Sequence, residues 1–206
     1  MIDFPPLDPG IEIVAASRGI SKGIAQTEGG QIVPKAFVQM GSVQAGAQWK
    51  NVKSPVARGE AAAFVNVTPK LGAFQLTLGA SYKFQTGVRP PTDDDSFEFS
   101  GVVARKWGKV GARASVVYSP NDLGSTRSSA YFEGGPTLDI DKTTKVSANI
   151  GRRQRAGSPD YTSFNVGLSA MLVKGLTLDG RYFDTAQSEF GEAYHGRFVI
   201  SGRLSF

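Results

Sequence analysis

The chain has no cysteine and a single histidine among its 206 residues. Without thiols there is no disulfide framework, no thiol nucleophile and no thiolate metal site. A lone imidazole leaves His195 as the only candidate for histidine-assisted hydrolysis. Long hydrophobic runs are missing too: the longest apolar stretches are four to five residues, far below what a transmembrane helix needs. Apolar residues at i, i+3, i+4 and i+7 do not persist anywhere, so helices are not expected to carry the fold. The opening Met1 to Gly10 has neither the basic nor the apolar region of a secretory signal, so an exported protein would be present here in a mature form. Charge of one sign is not in large excess. The 23 Lys and Arg against 18 Asp and Glu give +5, and the bases are scattered singly, so nucleic acid is not expected as a partner. No composition shift marks a second domain, which gives a short N-terminal segment, 1–10, followed by one domain over 11–206.

What the chain does have is alternation. From Ala73 to Gln85, the residues Phe74, Leu76, Leu78, Ala80, Tyr82 and Phe84 share one face, and Gln75, Thr77, Gly79, Ser81, Lys83 and Gln85 share the other. The period of two recurs over Phe164 to Leu172, over Leu176 to Arg181 and through the last ten residues. Such segments number twelve: 10–19, 31–40, 42–52, 59–68, 73–86, 96–107, 110–119, 129–140, 143–153, 161–173, 175–185 and 196–206. Every second connection is short. An even strand count, segments of about ten residues and alternating short and long connections predict an all-β fold, a transmembrane antiparallel up-and-down β-barrel of about 12 strands. A soluble sandwich has no reason to sort its loops in this way.

The aromatic residues give the barrel a direction. Trp49, Tyr82, Phe84, Tyr118 and Tyr182 fall near the ends of segments that run toward the long loops, and Phe97, Phe99, Phe132, Phe164 and Phe198 near the starts of those that run back. They form one predicted girdle at the outer interface, with Phe74, Trp107 and Phe206 as a sparser inner set. Three places disturb the pattern. Pro34 and Pro136 each remove a ladder donor, and 96–107 loses its phase after Gly101, so bulges or shifted boundaries are expected there.

Arg18-Gly19-Ile20-Ser21, followed by Gln26-Thr27, Tyr118-Ser119-Pro120 and Glu133-Gly134-Gly135, resembles the TorF-type porins of proteobacteria over nearly the whole chain. The resemblance implies an outer-membrane barrel of a Gram-negative bacterium and adds little chemistry of its own. Ala16-Ser17 stands where an aromatic is expected before the Arg-Gly-Ile-Ser run, and extra residues precede Gln26-Thr27, so the first loop departs from that family. Phe198, Ile200, Leu204 and the terminal Phe206 resemble the carboxy-terminal strand signal that the outer-membrane assembly machinery reads, although Gly202 lies one place from its usual position.

If the apolar faces meet lipid, the opposite faces line a lumen. The expected lining is Glu12, Lys35, Gln44, Gln48, Lys50, Glu60, Asn66, Gln75, Lys83, Glu98, Arg113, Glu133, Asn149, Asn165, Asp179, Arg181 and Arg203. Six of these are bases and five are acids, which favours a narrow porin-like channel for small solutes with slight anion preference. A plugged barrel that anchors a partner is the alternative, and a barrel hydrolase using His195 is a third. Arg152, Arg153 and Arg155 fall at the upper end of the ninth segment, where guanidinium groups would meet lipopolysaccharide phosphates. Asp93-Asp94-Asp95 lacks further spaced ligands and reads as a solvated loop, so neither a metal nor a cofactor is expected.

Overall fold

The computed structural model describes residues 5–52, 57–88, 94–123 and 126–206. Twelve long strands follow one another: β1 (Leu7–Ala16), β2 (Gln31–Met40), β3 (Val43–Asn51), β4 (Gly59–Val67), β5 (Phe74–Thr86) and β6 (Asp95–Trp107). They continue as β7 (Val110–Asp122), β8 (Arg127–Asp139), β9 (Thr144–Arg155), β10 (Tyr161–Val173), β11 (Leu176–Thr185) and β12 (Arg197–Ser205). Each pairs antiparallel with its neighbours in sequence. The ring closes where β1 meets β12, from Glu12 opposite Ser205 to Ala16 opposite Ser201. Phe206 extends that seam: its N–H donates to the Ile11 carbonyl at 2.9 Å. The fold is a closed up-and-down barrel, and among the described residues no long strand is left as a free edge.

Burial runs opposite to that of a soluble protein. Exposed side chains include Phe198 (62%), Ile150 (57%) and Ile200 (56%), whereas Ser96, Ser119, Glu60 and Asp122 are buried. Alternation along each strand causes this, because one face points out of the ring and the other into it. The outward face carries far more contiguous apolar surface than a water-facing monomer tolerates. Lipid is the solvent that suits it.

Tight connections lie at one end of the barrel. Gly41, Gly72, Gly108 and Gly175 hold positive φ there, between 57° and 86°, which a residue without Cβ adopts at little cost. Between β8 and β9 the Asp141 carboxylate accepts hydrogen bonds from the N–H groups of Thr143 (2.7 Å) and Thr144 (2.8 Å). These backbone donors hold its carboxyl down at about 2, from an ordinary 3.8.

Several expected boundaries move. The first strand occupies Leu7–Ala16 and not 10–19, so Arg18 and Gly19 leave the wall and Leu7 to Gly10 join it. Pro9 fits because β12 does not reach that far along β1, and its missing N–H costs no ladder bond on that side. Around Pro34 the ladder between β2 and β3 begins only at Lys35 opposite Gln48; the Asn51 carboxamide oxygen accepts from the Ile32 N–H at 2.8 Å across the gap. At Pro136 the pairing of β8 with β9 skips from Gly134 to Thr137 without changing register. The expected loss of phase after Gly101 is absent, since β6 pairs continuously with both neighbours. Arg105 lies outward there because Phe74 and Trp107 take its guanidinium at 5.0 and 5.1 Å from their ring centres.

Gly135 is where β9 comes closest: a Cβ there would lie 1.8 Å from the Ala148 carbonyl oxygen. Gly135→Ala is therefore expected to cost about 1–3 kcal/mol through backbone displacement. Urea titration of the heat-modifiable folded band measures this, with Gly29→Ala, which meets nothing within 4 Å, unchanged. The Asp141 turn carries a pH signature as well. Its stabilisation is complete above the ordinary carboxyl value of 3.8 and is lost as pH falls through about 2. Asp141→Asn should thus unfold more readily than wild type at pH 7, with the difference vanishing in acid titrations below about pH 2.

Candidate functional site in the barrel lumen

The first long loop does not stay outside the barrel. Ile20–Ser21 and Ile24–Ala25 pair as a miniature hairpin whose tip, Lys22 and Gly23, takes positive φ of 50° and 83°. Thr27 holds its base, accepting the Gly19 N–H at 2.7 Å and donating to the Gly29 carbonyl. The tip crosses the lumen: the Tyr161 hydroxyl donates to the Lys22 carbonyl at 2.6 Å. Any Cβ on Gly23 would strike the Ser163 side chain at 2.3 Å, so glycine is what lets the tip reach β10.

Around this tip the inward charges form one alternating chain. Lys50 contacts Glu60 at 3.0 Å, Glu60 contacts Lys83 at 3.9 Å, and Lys83 contacts the second oxygen of Glu98. Lys22 then bridges Glu98 at 2.5 Å and Asp122 at 3.2 Å, and Asp122 ends on Arg153 at 2.5 Å. Four bases and three acids alternate across β3, β4, β5, β6, the hairpin, β7 and β9. Lys50 also donates to the Gln26 side chain at 2.8 Å, and Ser129 donates to Asp122 at 2.5 Å. A buried charge is tolerable only when paired and hydrogen-bonded, and here each neighbour neutralises the next.

A second network lines β8 to β11. Glu133 receives Arg113 at 3.3 Å, the Tyr131 hydroxyl at 3.0 Å and the Asn165 amide at 3.3 Å. Asn165 accepts from Asn149 and from Arg181, which also meets Asp179 at 3.1 Å. Nearer the short turns the lumen opens into a vestibule of about 1120 Å³, lined by Gln75, Lys106, Lys109, Arg113, Asp139, Asp141, Lys142 and Lys145 among others. Arg203 and Glu12 face each other at 3.8 Å on the closing seam. A smaller cavity of about 230 Å³ touches Lys35, Gln48, Asn66 and Lys83, and Lys35 donates to Gln44 at 3.4 Å.

The inward set read from alternation therefore lies on one face of the wall. The aromatic set, Trp49, Tyr82, Phe84, Phe97, Tyr118, Phe164, Tyr182 and Phe198, lies exposed on the other, as do Ile200, Leu204 and Phe206. Tyr82 and Phe97 touch with ring centres 4.9 Å apart. The arginine triad separates. Arg152 points outward and pairs with Asp160 at 3.2 Å, Arg153 turns into the lumen onto Asp122, and Arg155 lies over the Tyr161 ring at 4.9 Å and donates to Tyr194. A single phosphate-facing patch of three arginines does not exist, because residues 152 and 153 take opposite faces of one strand. His195 is exposed, with its imidazole 4.0 Å from Glu192 in the same loop and no hydroxyl hydrogen-bonded to it among the described residues. Asp95 accepts from Tyr82 at 2.9 Å on the outer face; Asp93 lies outside the described residues.

Sequence reasoning missed Lys22, Asp122, Tyr131, Tyr161 and Ser163. The tyrosines were legible in principle, since Phe132 and Phe164 facing out put Tyr131 and Tyr161 inside by phase. Lys22 was not, because a loop residue has no periodicity to read.

A family model described as a bacterial protein of unknown function, Gcw_chp, matches residues 64–203, more than half of the chain. The chain belongs to the Gcw_chp family. No curated protein matches it. Among solved structures, this Gcw_chp member is similar to a KdgM porin in complex with disordered oligogalacturonate, at 10% identity and a TM-score of 0.66, over 96% of this chain and 99% of that one. It is similar to a NanC porin at 9% identity and 0.62, over 95% and 97%, and to a loop-deletion mutant of OmpT, an outer membrane protein of Vibrio cholerae, at 8% and 0.54, over 98% and 99%. At these identities the likeness is one of fold.

Lys22 is the hinge of the ion-pair chain, with its side chain about one-tenth exposed. Lys22→Ala leaves Glu98 and Asp122 each short of a cation and should destabilise the barrel by about 3 kcal/mol, the low end for a broken buried pair. Urea unfolding followed by tryptophan fluorescence reads the loss, and Lys22→Arg should restore most of it.

Proposed function

We propose that this Gcw_chp protein is a narrow outer-membrane channel for small solutes with a preference for anions, constricted at its long-loop end by its own first loop. The observation that carries this reading is the division of the lumen. The long-loop half is bridged by the hairpin and its ion pairs, while the short-turn half keeps an open vestibule of about 1120 Å³. A barrel serving only as an anchor gains nothing from an open vestibule, because packed side chains stabilise better than lined space. Anion preference follows from the lining, where Lys106, Lys109, Arg113, Lys142 and Lys145 outnumber Asp139 and Asp141. Bases in excess on a low-dielectric wall concentrate anions.

Placement in a Gram-negative outer membrane, with short turns periplasmic and long loops outside, rests on the fold shared with porins and on the apolar exterior. The TorF resemblance belongs to the same reading, as do lipid and lipopolysaccharide around the barrel and the assembly machinery reading the final strand. Mutual solvation of the hairpin by Glu98 and Asp122 makes Lys22 the element that narrows the path.

Planar-bilayer recordings of purified, refolded protein should give small discrete conductance steps with a reversal potential displaced toward that of chloride in a salt gradient. Lys22→Ala should raise the unit conductance by about twofold or more, as the hairpin loses its two ion-pair anchors and keeps only the Tyr161 hydrogen bond at its tip. Protein that folds but yields no steps, in wild type and variant alike, would leave the anchoring reading in its place.

A further inference from the structure

The lipid-facing surface carries one charge that the barrel itself does not neutralise. Along β6 the outward positions run Phe97, Phe99, Gly101, Val103, Arg105 and Trp107, fixed by pairing with β5 and β7. Among the described residues, Arg105 is the only charged side chain on the outward face of the strands toward the short turns. It precedes the turn at Gly108 by three positions and is the register partner of Phe74. Its guanidinium lies over two rings, 5.0 Å from the Phe74 centre and 5.1 Å from the Trp107 centre. Among the described residues no carboxylate lies within ion-pair distance of it and no oxygen accepts from its N–H groups, whereas Lys106, the next residue, turns inward onto Asp139. Ring faces attract the charge but leave its five donors without oxygens.

Beside Arg105 the wall is shallow. Its other register partner, Ala112, adjoins Pro136, and one step toward the middle of the wall Ala114 and Gly134 stand side by side next to Val103. Gly101 follows, between Leu78 and Val116. These small residues leave a track that starts at the guanidinium and runs along the apolar face.

We propose that Arg105, Phe74 and Trp107 form a binding site for the phosphate diester of one membrane phospholipid, in the leaflet on the short-turn side, with an acyl chain lying along the track of Ala112, Ala114 and Gly134. Phosphate oxygens match the paired donors of a guanidinium and supply the anion that it lacks. A guanidinium is costly to hold in hydrocarbon and tolerable where headgroups begin, and interfacial rings such as Trp107 mark that level. The two rings fix the donors in place before the lipid arrives, which lowers the ordering cost of binding. The inference rests on the membrane placement of the barrel and not on conduction, so it stands or falls separately from the channel.

Native mass spectrometry of the folded full-length chain in detergent, titrated with phosphatidylglycerol, tests it. One lipid should stay bound at least about fivefold more strongly than diacylglycerol, which has the chains without the phosphate. Inorganic phosphate at equal concentration should not displace it, which separates a lipid site from a site for free anions. Arg105→Gln should weaken retention about fivefold, and Phe74→Leu about twofold, in preparations that keep the heat-modifiable folded band. Lys106→Gln removes the same charge one residue away but from inside the barrel, and should leave retention unchanged. Equal retention by folded Arg105→Gln, equal retention of diacylglycerol, or displacement by inorganic phosphate each overturns the proposal.

Discussion

Everything in this molecule depends on one requirement, that a backbone crossing an apolar medium find a partner for each of its N–H and C=O groups inside the protein. A sheet meets that requirement only by closing on itself. Here the closure is made by β1 and β12, and it is carried to the terminal residue by the pair of hydrogen bonds between Ile11 and Phe206. Once the ring is closed, alternation has a fixed meaning: Phe198 and Ile200 must face out, and Arg203 and Arg181 must face in. The prolines obey the same rule. Pro9 occupies a stretch without a partner on the β12 side, and Pro34 sits where a side chain, Asn51, replaces the ladder.

Closure creates the second problem, an interior that collects charge. An isolated ion away from water costs several kcal/mol, and the lumen answers with alternation of sign, from Lys50 through Glu60, Lys83, Glu98, Lys22 and Asp122 to Arg153. The chain would be broken between Glu98 and Asp122 without a residue from the first loop. That loop is therefore part of the electrostatic structure of the wall. The same charge that completes the network also narrows the lumen.

The two ends of the barrel differ for this reason. At the long-loop end, hairpin, tyrosines and ion pairs satisfy one another and leave little space; at the short-turn end, the short connections do not fold inward and a basic vestibule stays open. The solved porins that share the fold show that such a ring is a stable architecture at about 10% identity, which fits a fold specified by period and closure more than by particular side chains.

Sequence alone determined the period, and with it the strand count, the sorting of loops, the outward placement of Tyr82, Phe97 and Tyr182, and the inward face from Glu12 to Arg203. These are legible because a strand encodes its two faces locally, residue by residue. What it could not determine was anything set by approach across the ring. Arg152, Arg153 and Arg155 read as one basic run, yet one meets Asp160 outside, one meets Asp122 inside, and one covers Tyr161. Lys22 has no periodic neighbour to assign it a face, and its partners lie 76 and 100 positions away in sequence, at Glu98 and Asp122. Only the closed ring brings them within reach, because the distance that matters there is the width of the barrel and not the length of the chain.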